Sequence, residues 1–66
     1  MRLPRRELTE EELLEKLTEQ VEKAKRMLSM GRQFVLARHL RQGDYCFDRA
    51  VRHLACAQQL LRRMKR

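Results

Sequence analysis

Four side chains in the second half of this chain, His39, Cys46, His53 and Cys56, are of the types that bind metal ions or act as nucleophiles. His53 and Cys56 are three residues apart on a predicted helix, so one ion could contact both. Cys46 lies about 10 Å from His53 along the same helix, which is too far to join them. Because a structural zinc site needs four ligands, we predict no metal ion and no cofactor.

Enzymatic chemistry has little support in the sequence. Covalent catalysis needs a nucleophile beside a base that a third group orients, and the acidic neighbours Asp44 and Asp48 disfavour a reactive thiolate at Cys46. The sequence has no glycine-rich phosphate loop and no HExxH pattern. A chain of 66 residues also has a small core, which leaves little room for a deep cleft. We therefore predict that the protein is not an enzyme and assign no catalytic residues.

Charge divides the chain into unequal parts. The net charge is +7, and twelve of the sixteen basic residues are arginines. Residues 7–30 hold seven glutamates and four basic residues, whereas residues 31–66 hold nine basic residues and two aspartates. An arginine-rich half suits an anionic partner, either an acidic protein or a nucleic acid.

The two cysteines and the apolar runs bear on compartment. Cys46 and Cys56 are ten residues apart on one predicted helix, about 15 Å, which is beyond disulfide reach. We therefore expect reduced thiols and a cytoplasmic or other reducing compartment. The longest apolar run, residues 34–37, is far below the roughly 18 residues of a membrane span, so none is predicted.

The first predicted helix, residues 9–29, follows a basic arm at residues 1–7. Thr9 and Glu12 have the spacing of a capping box, and Leu8 and Leu13 that of a hydrophobic staple. The apolar residues then recur in steps of three and four, which predicts a core stripe. That stripe comprises Leu14, Leu17, Val21, Ala24 and Leu28.

The glycines are the expected boundaries. Gly31 either breaks the helix or lies within its continuation over residues 31–42, where a mid-helix glycine costs about 1 kcal/mol. Gly43 suits a left-handed helix end and Asp44 suits the N-cap of a last helix over residues 45–65. The stripe of that helix is predicted to comprise Phe47, Ala50, Leu54, Ala57, Leu61 and Met64.

These elements predict one all-α domain over residues 1–66, with two alternatives for its architecture. A break at Gly31 gives a small three-helix bundle. A continuous first helix gives a long αα-hairpin whose overhanging leucines would be buried by dimerisation into a four-helix bundle.

Residues 35–61 resemble a tetratricopeptide-like helical hairpin. Phe47-Asp-Arg-Ala50-Val-Arg-His-Leu54-Ala-Cys-Ala57 is similar to the second helix of such a repeat, and Leu36-Ala-Arg-His-Leu40-Arg-Gln-Gly-Asp-Tyr45 is similar to the end of its first helix and the turn. The turn also resembles the single-repeat domain of the mitochondrial outer-membrane presequence receptor. MIT (microtubule-interacting and trafficking) domains have a similar helix. The resemblance implies a protein- or peptide-binding module with a groove beside Val35, Leu36, His39 and Leu40.

We therefore expect a helical interaction module whose apolar surface is edged by arginines and binds a protein or amphipathic peptide, with an acidic partner favoured. The predicted binding residues are Phe34, Val35, Leu36, Arg38, His39, Leu40, Arg41, Tyr45, Arg49 and Arg52. One alternative is RNA or DNA binding through the arginine-rich residues 31–66. Another is a designed bundle with no natural activity, because residues 7–28 have the idealised capping and patterning of designed helices.

Overall fold

The computed structural model describes residues 8–65, and these form a helical hairpin. Helix α1 spans Glu10–Leu36 and helix α2 spans Leu40–Met64. A short turn joins them, so the helices lie antiparallel and pack along their length. The fold is all-α, as predicted, but the break at Gly31 required by the three-helix bundle is absent. The predicted arm at residues 1–7 lies outside the described residues.

The start of α1 confirms the capping prediction. Thr9 is the N-cap, with extended backbone angles, and its Oγ1 accepts a hydrogen bond from the backbone N–H of Glu12. The Thr9 hydroxyl also donates to Oε1 of Glu12 at 3.1 Å. Leu13, the predicted staple residue, is buried. The Thr9 side chain therefore satisfies one of the free N–H groups of the first turn, that of Glu12.

The turn between the helices is a Schellman motif centred on Arg38. The N–H of His39 bonds to the carbonyl of Phe34 at 2.8 Å, and the N–H of Arg38 bonds to that of Val35 at 3.0 Å. Arg38 adopts the left-handed conformation, with φ of 68°. The rings of His39 and Phe34 meet edge to face at 6.4 Å between centroids, the apolar contact that commonly accompanies this motif.

The predicted boundary at Gly43 and Asp44 is therefore wrong. Both residues lie inside α2, and Gly43 does not have a positive φ. Both glycines instead mark the site where the two helices cross closely. A Cβ atom on Gly43 would lie 2.7 Å from Cγ2 of Val35 and 3.3 Å from the carbonyl oxygen of Gly31. The backbones approach this closely because neither glycine has a side chain.

The interface within the hairpin consists mostly of small residues. The buried apolar residues are Leu13, Ala24, Cys46, Ala50 and Ala57, and no large side chain among the described residues is fully buried. Of the two predicted core stripes, Ala24, Ala50 and Ala57 are buried as expected. Leu14, Leu28, Phe47, Leu54 and Leu61 are exposed instead. Leu17, Val21 and Met64 are half-buried, so the larger members of both stripes lie at the edge of the hairpin's own interface or outside it.

Candidate interaction surfaces

The exposed members of the two stripes form one face of the hairpin, here called the leucine face. Gly31 packs beside Phe47, and Gly43 packs beside Val35, which sets the register of the antiparallel pair. Because the helices are antiparallel, a move of seven residues towards the C-terminus of α1 matches a move of seven residues towards the N-terminus of α2, and apolar layers recur at this interval. The face therefore contains four layers, Leu14 with Leu61, Val21 with Leu54, Leu28 with Phe47, and Val35 with Leu40.

The orientation of the leucine face follows from helix geometry. With about 100° between successive residues, the centre of each apolar stripe is rotated roughly 40–60° from the line that joins the helices. In antiparallel helices this rotation turns both stripes towards the same side. Leu40 is 61% and Phe47 is 37% exposed there, and Val21 and Val35 are half-buried. Each helix thus presents its apolar side partly to its neighbour and partly to an open surface.

The rim of the leucine face carries both signs of charge. On α1, Glu10 and Glu11 lie at the free end and Arg32 lies near the turn. On α2 the order is reversed in space, since Asp44 lies near the turn and Arg62 lies near the free end. The rim is therefore mixed, although the chain as a whole carries +7.

A second apolar surface, here called the methionine groove, lies on the opposite side of the hairpin. It is an open depression of about 520 Å³. Its lining is Met27, Met30, Phe34, Arg41, Gln42, Tyr45, Cys46 and Arg49. A neighbouring depression of about 450 Å³ shares Met30 and Phe34 and extends to Ala37 and His39. Met30 and Phe34 lie between the two depressions and line both.

The charged groups of the methionine groove are all basic. The guanidinium carbon of Arg49 lies 5.8 Å from the centroid of the Tyr45 ring, a cation–π arrangement. Within residues 8–65, the ion pairs of Glu19, Glu22 and Asp48 are formed with Lys23, Lys25 and Arg52, and not with Arg41 or Arg49. The two groove arginines are therefore available to an external anion.

The structure distributes the predicted binding residues over different surfaces. Val35 and Leu40 belong to the leucine face. Phe34, Arg41, Tyr45 and Arg49 line the methionine groove, and His39 lines its extension. Arg38 and Leu36 lie at the turn and the end of α1. Arg52 lies on the outer side of α2, where its Nε is 3.3 Å from a carboxylate oxygen of Asp48.

The groups that first suggested chemistry have other surroundings in the fold. Nδ1 of His53 donates to Oε1 of Gln20 at 2.8 Å, a partly buried link between the helices. Cys46 is buried between the helices, Cys56 is exposed, and both thiols are free. No group of three or more potential metal-binding side chains occurs in the part of the chain that the structure describes.

Comparison of the chain with family models, with curated proteins and with solved structures found no match. The tetratricopeptide-like resemblance of residues 35–61 therefore stays a prediction. Neither helix over residues 10–36 or 40–64 is long and apolar enough to cross a membrane.

The sequence predicted exposed leucines only where a longer first helix would overhang the hairpin, but α1 and α2 have 27 and 25 residues and leave no such overhang. A signal for the leucine face was nevertheless present in the sequence. Both stripes contain alternating small and large residues, such as Ala24 with Leu28 and Ala50 with Leu54. The small residues allow the close approach within the hairpin, and the large ones remain beside it. Only the crossing at Gly31 and Gly43 fixes which side the large residues occupy.

Proposed function

We propose that the protein is a helical interaction module that assembles with a second copy of itself through the leucine face, forming a four-helix bundle. The observation that carries this proposal is the common rotation of both apolar stripes towards one side. Each helix of a four-helix bundle must face two neighbours at once, so its apolar stripe is centred between them. The hairpin supplies one of those neighbours, and the leucine face is oriented towards the other.

The size of the leucine face supports the proposal. Each helix is about 40 Å long and 10 Å wide, so the face of two helices covers about 800 Å². That area equals what each partner buries in a stable interface of ordinary size, about 800 Å². The hairpin also needs additional burial, because its own interface contains mainly glycine, alanine and cysteine and an isolated core this small gives little stability.

The charges at the rim favour a second copy over an acidic partner on this face. If two copies pack with their turns at the same end, α1 of one copy lies antiparallel to α2 of the other. Glu10 and Glu11 then approach the partner's Arg62, and Arg32 approaches the partner's Asp44. Exposed pairs of this kind contribute roughly 0.2–1 kcal/mol each, so they select the arrangement more than they drive it.

Sedimentation equilibrium from low to high micromolar concentration tests this assembly. The 8.0 kDa chain should sediment at twice its mass. Leu54→Asp should return it to the monomer mass, because a carboxylate would be buried in the apolar interface. Met30→Asp is the matched control, since Met30 is 46% exposed against 45% for Leu54 but lies on the opposite side.

Two results would contradict self-assembly. One is a wild-type chain that sediments as a monomer at every concentration while circular dichroism shows it to be helical. The other is a dimer that Met30→Asp dissociates and Leu54→Asp leaves intact. If Leu54→Asp unfolds the chain, the milder Leu54→Ala should still raise the dissociation constant, and an unchanged constant would also contradict the proposal.

One observation favours nucleic-acid binding as a second candidate function. Arg41, Arg52 and Arg63 are eleven residues, or three turns, apart and form an exposed row along α2. Arg52 and Arg63 lie on the side away from α1, and Arg41 lies at the edge of this row, where it also lines the methionine groove. This row stays accessible in the proposed bundle. Filter binding of duplex DNA and single-stranded RNA across a salt series is the test, because each phosphate contact steepens the salt dependence. Flat or absent binding would remove this candidate.

A further inference from the structure

The methionine groove faces away from the leucine face, so it remains open when the proposed bundle forms. Its walls come from one hairpin alone, with Met27, Met30 and Phe34 on α1 and Tyr45 and Cys46 on α2. An inference about this groove therefore does not depend on self-assembly. A dimer would present two such grooves on opposite sides.

The floor of the groove suits an apolar helix more than a polar ligand. Methionine side chains are flexible and polarisable, so they repack around different apolar anchors. Phe34 is half-buried and supplies a fixed aromatic wall beside Met30, which is exposed. The two joined depressions offer separate recesses for successive anchors of an amphipathic helix, which occur at intervals of three and four residues.

The charge of the groove specifies the other side of that helix. Arg41 and Arg49 border the apolar floor, and neither of the groove's two depressions has an acidic residue in its lining. The aspartates of α2, Asp44 and Asp48, line neither depression, and Asp48 is paired with Arg52. The charges that border the groove are therefore positive, unlike the mixed charges on the rim of the leucine face, and they complement a partner whose charged side chains are acidic.

We propose that the methionine groove binds an acidic amphipathic helix, with apolar anchors in the two depressions and glutamates or aspartates paired with Arg41 and Arg49. The chain's own acidic helix does not fit this description. The outer side of α1 carries Glu11, Glu15, Glu19 and Glu22 with Thr18, and over residues 11–22 this side has no large apolar side chain to occupy the depressions. The expected partner is therefore a different chain.

Fluorescence anisotropy with a labelled 15-residue probe peptide tests the proposal. The probe carries leucines at intervals of three and four and glutamates on the flanks, and a second probe replaces every glutamate with lysine. We expect saturable binding of the acidic probe to the wild-type chain, with weaker binding at higher salt because the charge pairs are partly exposed. The lysine probe should not bind.

Three variants locate the binding site. The double variant Arg41→Glu and Arg49→Glu should weaken binding of the acidic probe at least roughly tenfold, because attraction becomes repulsion. Met30→Asp should weaken it by disrupting the apolar floor. The double variant Arg32→Glu and Arg62→Glu is the matched control, since it makes the same change of charge at the rim of the leucine face, on the opposite side of the hairpin, and should leave binding within about twofold of wild type.

The outcomes separate this proposal from that of self-assembly. Sedimentation of the same samples reports the bundle, whereas anisotropy reports the groove, so either can fail alone. Equal binding of the two probes, or unchanged binding in the double variant, would overturn the groove proposal. Tighter binding of a duplex oligonucleotide than of the acidic probe, lost in the double variant, would assign Arg41 and Arg49 to nucleic acid and also overturn it.

Discussion

Arg38 holds the least favourable backbone conformation among the described residues. It is the non-glycine residue with a positive φ, 68°, and this conformation costs a side-chain-bearing residue roughly 1–2 kcal/mol. Arg38 adopts it because the Schellman hydrogen bonds of the turn require a left-handed residue at this position. The sequence placed the turn elsewhere, since glycine is the usual residue here and the nearest candidate was Gly43.

Replacing Arg38 with glycine should stabilise the fold. Glycine reaches the left-handed region without strain, and about half of that gain is offset by its greater freedom in the unfolded chain, which leaves a net of about 0.5–1 kcal/mol. Thermal unfolding monitored by circular dichroism should show a melting temperature a few degrees higher, about 4–8 °C per kcal/mol for a domain of this size.

The control for this substitution is Arg41→Gly, which makes the same exchange within the regular part of α2. There glycine loses helix propensity and should cost about 1 kcal/mol. Opposite shifts in the two variants would confirm that the backbone of Arg38 is strained. A fall in melting temperature for both would show that the arginine side chain at position 38 stabilises the turn more than its backbone strains it.

At the scale of the helices, local features could be predicted from the sequence and contacts between elements could not. Thr9, Glu12 and Leu13 lie within one turn of each other, so their capping role is encoded in a few adjacent residues. Gly31 and Gly43 gave a misleading local signal, because glycine is common at helix ends. Each glycine instead allows a close contact between the two helices, and the two glycines are twelve residues apart in the sequence.

Gly43→Ala should destabilise the hairpin although alanine is the better helix former. The added Cβ would lie 2.7 Å from Cγ2 of Val35, and this β-branched side chain has few alternative rotamers. Overpacking costs about 1–3 kcal/mol, which exceeds the propensity gain of about 1 kcal/mol. Chemical denaturation should show a lower free energy of unfolding.

Two variants test the cause of that loss. In Gly31→Ala the new Cβ would meet the ring edge of Phe47 at 2.6 Å, but this ring is partly exposed and can turn away, so the cost should be smaller. The double variant Gly43→Ala with Val35→Ala should be more stable than the sum of the single changes predicts, because the clash is removed. Strict additivity would show that the Gly43 contact is not the cause.

At the scale of the whole molecule, the sequence predicted an all-α chain with apolar stripes too long for the hairpin to cover. Only the small members of the predicted core stripes, Ala24, Ala50 and Ala57, are buried, whereas Leu14, Leu28, Phe47, Leu54 and Leu61 are exposed. Which part of each stripe faces the partner helix could not be predicted, since that depends on the crossing at the two glycines. The rotation of both stripes towards one side therefore becomes visible only in the folded hairpin.

The arrangement of two copies can be tested by double electron–electron resonance on spin-labelled Ala37→Cys in a Cys56→Ser background, where Cys46 is buried and shielded. The proposed bundle places both turns at the same end, because the rim charges of α1 then match those of α2 in the partner. The label at residue 37, beside the turn, should give a distance of about 20–30 Å between copies. Turns at opposite ends would separate the labels by roughly 40 Å, the length of the helices.

Lys25→Cys is the control, since it lies near the middle of α1 and should give a short distance in both arrangements. A long distance at residue 37 with a short one at residue 25 would retain the bundle but reverse one hairpin, and the pairing of Arg32 with the partner's Asp44 would then be wrong.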